Sequence, residues 1–144
     1  MAESLQLEVV TPERLLVADV AEEIQIPGKT GYLGVLPGHA PLITELTSGE
    51  ISYKKPGGGI ERLAVHWGFA EVLPDKVTIL AEIAERAHEI DVARARQLRT
   101  SAEAMLREHP SGPEHERALC GLKQAETRLE VAAKNDGHMA NIVP

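Results

Sequence analysis

Gly31-Tyr32-Leu33-Gly34-Val35-Leu36-Pro37-Gly38-His39-Ala40-Pro41-Leu42-Ile43-Thr44 sets three glycines and two prolines among closely spaced apolar residues. Glycine adopts backbone angles that other residues avoid, and proline fixes its own φ and lacks an N–H. A helix cannot run through such a string, and a long regular strand would be cut by it. The chain is expected to turn several tight corners here while burying Leu33, Val35, Leu36, Leu42 and Ile43, with His39 among the corners.

On both sides of this stretch the residues alternate with period two, the mark of half-buried strands. Leu5, Leu7 and Val9 alternate with Gln6, Glu8 and Val10. Val20, Glu22, Ile24 and Ile26 fall on one face, Ile51 and Tyr53 alternate with Ser52 and Lys54, and Leu63, Val65 and Trp67 alternate with Ala64, His66 and Gly68. Val77 and Ile79 close the series. Pro27-Gly28, Pro37-Gly38, Pro56-Gly57-Gly58-Gly59 and Pro74-Asp75 separate the runs as turns. Many short strands so punctuated read as a β-sandwich or flattened barrel.

Beyond residue 90 the period changes. Ala95, Leu98, Ala102 and Met105 recur at helical spacing, as do Ala118, Leu122, Ala125, Leu129 and Ala132. The segment from Glu108 to Pro113 separates them. Asp91 is placed to cap the first helix, Ser111 and Glu114 have capping-box spacing, and Pro113 falls in a first turn. The fold class is therefore α+β: an N-terminal β-sandwich (flattened barrel), residues 1–88, followed by a C-terminal antiparallel two-helix hairpin, residues 89–134. Residues 135–144 read as a frayed, flexible tail. The helical stripes are mostly alanine, so the hairpin is expected to be weakly attached and able to move.

Composition narrows the function. The chain has 144 residues, is 43% hydrophobic and 26% charged, and carries a formal net charge of −7; its mean hydropathy is −0.15. Phosphate binding needs clustered Lys and Arg, so nucleic acid is not an expected partner. No apolar run approaches the ~20 residues that cross a bilayer, so direct membrane insertion is not expected. The N-terminus has neither a secretory signal pattern nor an arginine-rich transit pattern, and the single Cys120 suits a reducing compartment. The charge is uneven: residues 1–90 carry 7 Lys and Arg against 14 Asp and Glu, while residues 91–134 carry 8 against 7.

The search for chemistry yields little. Gly28-Lys29-Thr30 resembles the end of a phosphate loop, but position 23 is Glu and no helix follows. The glycine run 57–59 is a hairpin turn. The histidines lack partners at metal-ligand spacing, so no metal is expected, and no nucleophile elbow is present. Cys120 reads as a small hydrophobe on the second helix. No catalytic residue emerges, and the chain is not expected to be an enzyme itself. Glu85, Asp91, Arg94 and Arg128 could together hold a nucleotide, with arginines on phosphates and carboxylates on sugar or base donors. The plainer reading, favoured by spacing, makes Asp91 a helix cap and leaves Arg94 and Arg128 solvated or paired.

The Gly31–Leu42 string, together with Leu5-Gln6-Leu7-Glu8-Val9-Val10-Thr11-Pro12, Gly68-Phe69-Ala70-Glu71-Val72 and Arg128-Leu129-Glu130-Val131-Ala132, resembles the epsilon subunit of F-type rotary ATP synthases, in order along nearly the whole chain. The resemblance implies a non-catalytic central-stalk subunit. It would couple rotation of the proton-driven c-ring to the catalytic head while bound to the gamma subunit. Gly31, Tyr32, Gly34 and His39 would lie toward the c-ring. The family's hairpin extends into the catalytic head and restrains ATP hydrolysis. Arg94, Arg96, Arg99, Arg107, Arg117, Lys123 and Arg128 would then meet acidic loops of the beta subunits in the alpha/beta head. Ile90 through Ala95 match an ATP motif of some bacterial members, yet Ser101 and Gln124 stand where those carry arginines. That implies weak ATP binding at most, and no resident cofactor. The expected location is peripheral, on the cytoplasmic face of a bacterial inner membrane. The alternative is a free-standing β-sandwich that binds a small ligand.

Overall fold

The structure, a computed structural model, describes residues 4–142, with side chains described through residue 135. The chain divides into two units, Met1–Arg86 and Ala87–Pro144.

The first unit contains β1 (Leu5–Val10), β2 (Leu15–Ala21), β3 (Glu23–Gly28), β4 (Gly31–Val35), β5 (Leu42–Leu46), β6 (Gly49–Lys54), β7 (Ile60–Val72) and β8 (Lys76–Arg86). The order is β2-β1-β8-β7-β5-β3-β4, and β6 pairs with both β3 and β7. The strands β7, β5, β3 and β6 thus close on themselves, which makes the sandwich a flattened barrel, as the sequence predicts. Among the described residues only β1 and β8 pair in parallel; the remaining pairs are antiparallel. Leu5, Leu7, Val9, Ile24, Ile26, Ile51, Tyr53, Leu63, Val65, Val77 and Ile79 are all buried in one core, so the alternation places these residues correctly.

β7 serves two layers. Its first half pairs with β6 through Ile60–Val65, and its second half pairs with β5 through Gly68–Val72. Between them the register against β8 continues unshifted from His66↔Ile83 to Gly68↔Ala81, with Trp67 unpaired in the ladder between. Trp67 has φ 55 and Gly68 φ 143. A Cβ on Gly68 would lie 2.0 Å from the Leu80 carbonyl oxygen, so no side chain fits there. In this stretch Ala64 and His66 are buried along with Leu63 and Val65, which a simple alternation does not allow. The His66 Nδ1 lies 3.1 Å from the Ser48 hydroxyl.

Three expected core residues are not in the core. Val35 is buried and Leu33 packs against the core, but Leu36, Leu42 and Ile43 are exposed. Leu36 lies in the loop beyond β4, and Ile43 points to the outer face of β5, opposite Glu71. Val20 also departs from the expected face: the chain breaks at Glu22 between β2 and β3, which leaves Val20 exposed while Ile24 and Ile26 turn inward. The corners themselves are present, with Gly31 and Gly38 at positive φ and the Gly38 N–H donating to Pro74 at 2.7 Å.

The second unit opens with a 3-10 turn, Ala87–Glu89, followed by α1 (Val92–Glu108) and α2 (Pro113–Ile142). Asp91 caps α1, accepting from the Arg94 N–H at 3.0 Å. Pro113 opens α2, so the residue before the helix is Gly112, at φ 91, and not Ser111. The capping box expected from Ser111 is displaced by this glycine turn. His115 donates from Nδ1 to the His109 carbonyl at 2.8 Å and ties the loop across. Ala95, Ala102, Ala118, Ala125, Val131 and Ala132 are buried, whereas Leu98 and Met105 are exposed. The seam is therefore alanine, with the larger side chains at its rim. α2 continues past residue 134, where the sequence places a tail; the last two residues lie outside the described region.

Candidate functional site

Opposite residues of paired strands share a face. Phe69 pairs with Leu80 across β7 and β8, Leu80 with Val10 on β1, and Val10 with Leu15 on β2 past a bulge. Leu15, Phe69 and Leu80 are 56%, 55% and 55% exposed, and Ile43, one step along β5, is 70% exposed. An apolar row thus crosses the outer face of the sheet, about 20 Å wide at roughly 4.8 Å per strand. Single exposed hydrophobics are ordinary, but a continuous row marks a surface built for contact. The sequence carries a signal for it in Thr78-Ile79-Leu80-Ala81 and Gly68-Phe69-Ala70, where apolar residues occupy both faces of a strand.

Tyr32 lies near the start of β4 and His39 in the loop beyond its end. Tyr32, 62% exposed, sits next to the β3–β4 turn and pairs with Pro27. Its hydroxyl accepts the Glu50 N–H at 3.0 Å. His39 is half-buried in the loop after β4; its Nδ1 donates to the Ala40 carbonyl at 2.7 Å, and its N–H to the Leu36 carbonyl at 3.1 Å. A carbonyl can only accept, so Nδ1 carries the proton and Nε2 is the acceptor of the neutral ring. Gly31 and Gly34 flank Tyr32 on the same edge strand, both exposed.

The four nucleotide candidates divide between the units. Glu85 is half-buried on β8, level with Ala64, while Asp91, Arg94 and Arg128 belong to the hairpin. The Asp91 carboxylate is engaged as the α1 cap. A groove of about 520 Å³ runs between α1 and α2; Ala102 and Ala118 help line it, together with Ser101, Gln124, Arg117 and Arg128. Arg94, Arg96, Arg99, Arg107, Arg117 and Lys123 are exposed, and Arg128 is half-buried. Arg99 faces Glu103 at 3.9 Å, and the Arg117 Nε donates to the Pro113 carbonyl at 3.4 Å. Among the described residues, no group of three or more His, Cys, Asp and Glu side chains could hold a metal ion.

A half-buried polar pair joins β6 to β2. The Tyr53 hydroxyl donates to Asp19 at 3.0 Å, and Lys55 approaches the same carboxylate at 3.6 Å. Burial, then the hydrogen bond and charge of Asp19, push the Tyr53 phenol up to about 12, with Arg86 opposing part of the shift. Burial pulls the Asp19 carboxyl up, but the Val20 N–H, the Tyr53 hydroxyl and Lys55 together hold it below its ordinary value.

Comparison with known proteins places both units. Residues 4–87 match the family described as ATP synthase, Delta/Epsilon chain, beta-sandwich domain, and residues 88–133 match ATP synthase, Delta/Epsilon chain, long alpha-helix domain. The chain is 64% identical over 114 residues to the ATP synthase epsilon chain of Koribacter versatilis (strain Ellin345), covering 79% of this chain and 78% of that one. It is 50% identical over 129 residues to that of Moorella thermoacetica (strain ATCC 39073 / JCM 9320), covering 90% and 96%. Its fold matches a chain in the Euglena gracilis mitochondrial ATP synthase OSCP/F1/c-ring structure, with a TM-score of 0.81 at 23% identity over 92% of this chain and 83% of that one. The chain belongs to the ATP synthase delta/epsilon chain family.

Proposed function

We propose that the chain is the non-catalytic epsilon component of the central stalk of a bacterial F-type ATP synthase. Its sandwich binds the gamma subunit and rests on the c-ring, and its hairpin restrains ATP hydrolysis by reaching the alpha/beta head. The observation that carries this reading is the exposed row Ile43, Phe69, Leu80 and Leu15 on a chain of this family. Such a surface suits a permanent partner, and gamma is the one proposed for it. Among the described residues no helix is long and apolar enough to cross a membrane, in keeping with peripheral attachment at the cytoplasmic face of the inner membrane. The mixed charge of the hairpin and its alanine seam support a segment that detaches and meets acidic loops. A free-standing ligand-binding module is not favoured, because it leaves the hairpin without a task.

The test is a synthase assembled with a chain lacking residues 91–144. Assembly should be retained and ATP hydrolysis should rise; unchanged hydrolysis removes the inhibitory role. Ser101 and Gln124 in the hairpin groove supply no phosphate-directed charge, and each charge-assisted bond so missing is worth about 1.5–3 kcal/mol. The ATP site of Glu85, Asp91, Arg94 and Arg128 is therefore weak or unused, and micromolar affinity by calorimetry would overturn that statement.

A further inference from the structure

The β3–β4 turn is bound to the corner between β5 and β6 at several points. The Thr47 N–H donates to the Pro27 carbonyl at 3.0 Å and the Lys29 N–H to the Glu45 carbonyl at 2.9 Å. Gly28 pairs with Leu46, and the Lys29 ammonium lies 3.1 Å from the Glu45 carboxylate. Tyr32 completes this set. The register of β3 against β6 ends at Gln25↔Ser52, and its continuation would bring Pro27 opposite Glu50. Proline offers no N–H to a ladder at that position, and its carbonyl takes the Thr47 N–H. The Tyr32 hydroxyl accepts the Glu50 N–H beside it at 3.0 Å.

The hydroxyl can do this only because residue 49 has no side chain. A Cβ on Gly49 would stand 2.6 Å from the Pro27 Cβ and 2.9 Å from the Tyr32 hydroxyl. Both neighbours are held, Pro27 by its ring and buried strand position and Tyr32 by its bond to Glu50, so neither yields cheaply. Tyr32 is thus largely exposed and yet fixed at its tip.

A phenol that accepts one hydrogen bond still owns its proton. Donation by an N–H polarises the O–H and makes it a better donor. We infer that Gly49 is a positioning residue that presets Tyr32 as an outward hydrogen-bond donor, and that the matching group on the partner is an acceptor, a main-chain carbonyl or a carboxylate on a polar loop. This rests on the proposed stalk role, in which that loop belongs to the c-ring. The exposed ring supplies apolar contact and the hydroxyl supplies direction, at little cost in ordering because the side chain is already held.

The experiment uses the full chain in two settings. In the isolated protein, hydrogen exchange at the Glu50 amide is followed for Tyr32→Phe, Gly49→Ala and the double variant. Each should speed that amide about tenfold or more while the other sandwich amides stay unchanged. In the second setting, affinity is measured for synthase assembled without this chain. Each single variant should weaken binding by about tenfold, and the double variant should be no weaker than either, since both act through one hydroxyl. Tyr32→Phe keeps the ring and its packing, so it remains informative should Gly49→Ala fold poorly. Unaltered Glu50 exchange in both variants overturns the positioning. Altered exchange with wild-type affinity overturns the donor role and leaves the stalk reading standing. Failure of the wild-type chain to bind at all overturns the stalk reading, and this inference with it.

Discussion

The sandwich and the hairpin bury very different side chains. Leu5, Leu7, Val9, Ile24, Ile26, Ile51, Leu63 and Ile79 are fully buried in the sandwich, where each contributes about 1.5–3 kcal/mol against an exposed state. The hairpin buries Ala95, Ala102, Ala118, Ala125 and Ala132, with Ile90 and Val131 the larger aliphatics among its described buried residues. An alanine methyl is worth about 0.8 kcal/mol. The lesson is a division of stability within one chain: the sandwich persists as a body, and the helices open at lower cost.

The largest effect that bears on this comparison is expected at Gly68 in β7. Gly68→Val puts two methyls where one Cβ already meets the Leu80 carbonyl at 2.0 Å, at a backbone φ of 143. The cost should exceed about 4 kcal/mol, a large share of a domain's stability. Chemical denaturation should show the cooperative sandwich transition lost, and a wild-type midpoint would break the claim that the backbone at Gly68 is fixed. Next comes Leu7→Ala, expected to cost about 2–5 kcal/mol, against about 1 kcal/mol for Ala125→Gly in the hairpin. A reversed order in denaturant unfolding would reverse the comparison itself.

Smaller effects sharpen it. Asp91→Ala removes the α1 cap and should cost about 1 kcal/mol. Amide exchange should rise along α1 and stay unchanged in the sandwich; a change in both would mean the units do not open separately. Last is Tyr53→Phe, which removes the bond to Asp19 and should cost about 0.5–1.5 kcal/mol at neutral pH. Burial and the Asp19 bond push the folded phenol up to about 12 from its ordinary 10.0, so between these values the folded chain holds a proton that the unfolded one releases. This stabilisation is complete below about pH 10 and is lost as the pH rises toward 12. Unfolding titrations across that range should show the alkaline decline in the wild type and its absence in Tyr53→Phe. The Asp19 carboxyl runs the other way: its contribution is present above its unfolded pKa and fades as the pH falls through the lowered folded value.

Much of this division is legible in the sequence because it rests on local periodicity. Leu5, Leu7 and Val9 announce their face, and Asp91 announces the helix start. What local pattern cannot supply is which layer a strand joins. Leu36, Leu42 and Ile43 are apolar and sit among corners, so burial is the natural expectation, yet the loop and the outer face of β5 expose them. The burial of Ala64 and His66 has the same origin, since β7 pairs with β6 along one half and with β5 along the other. The contact row was hidden for a related reason: Phe69, Leu80 and Leu15 are far apart in sequence and are joined only by strand pairing. The role of Gly49 needed the paths of three strands at once.

The two long strands carry a mechanical consequence. β7 and β8, of 13 and 11 residues, run through both layers as one antiparallel ribbon, roughly 40 Å long at ~3.3 Å per residue. At one end, its turn is bonded to the Gly38 corner through Pro74; at the other, Arg86 holds the Leu16 carbonyl at 3.1 Å. A sideways push on the loop after β4 therefore loads a covalent beam along its length, and does not shear one sheet over the other across a greased interface. The sandwich should respond to torsion as a stiff lever, with any compliance concentrated in the chain after Arg86, where the beam ends.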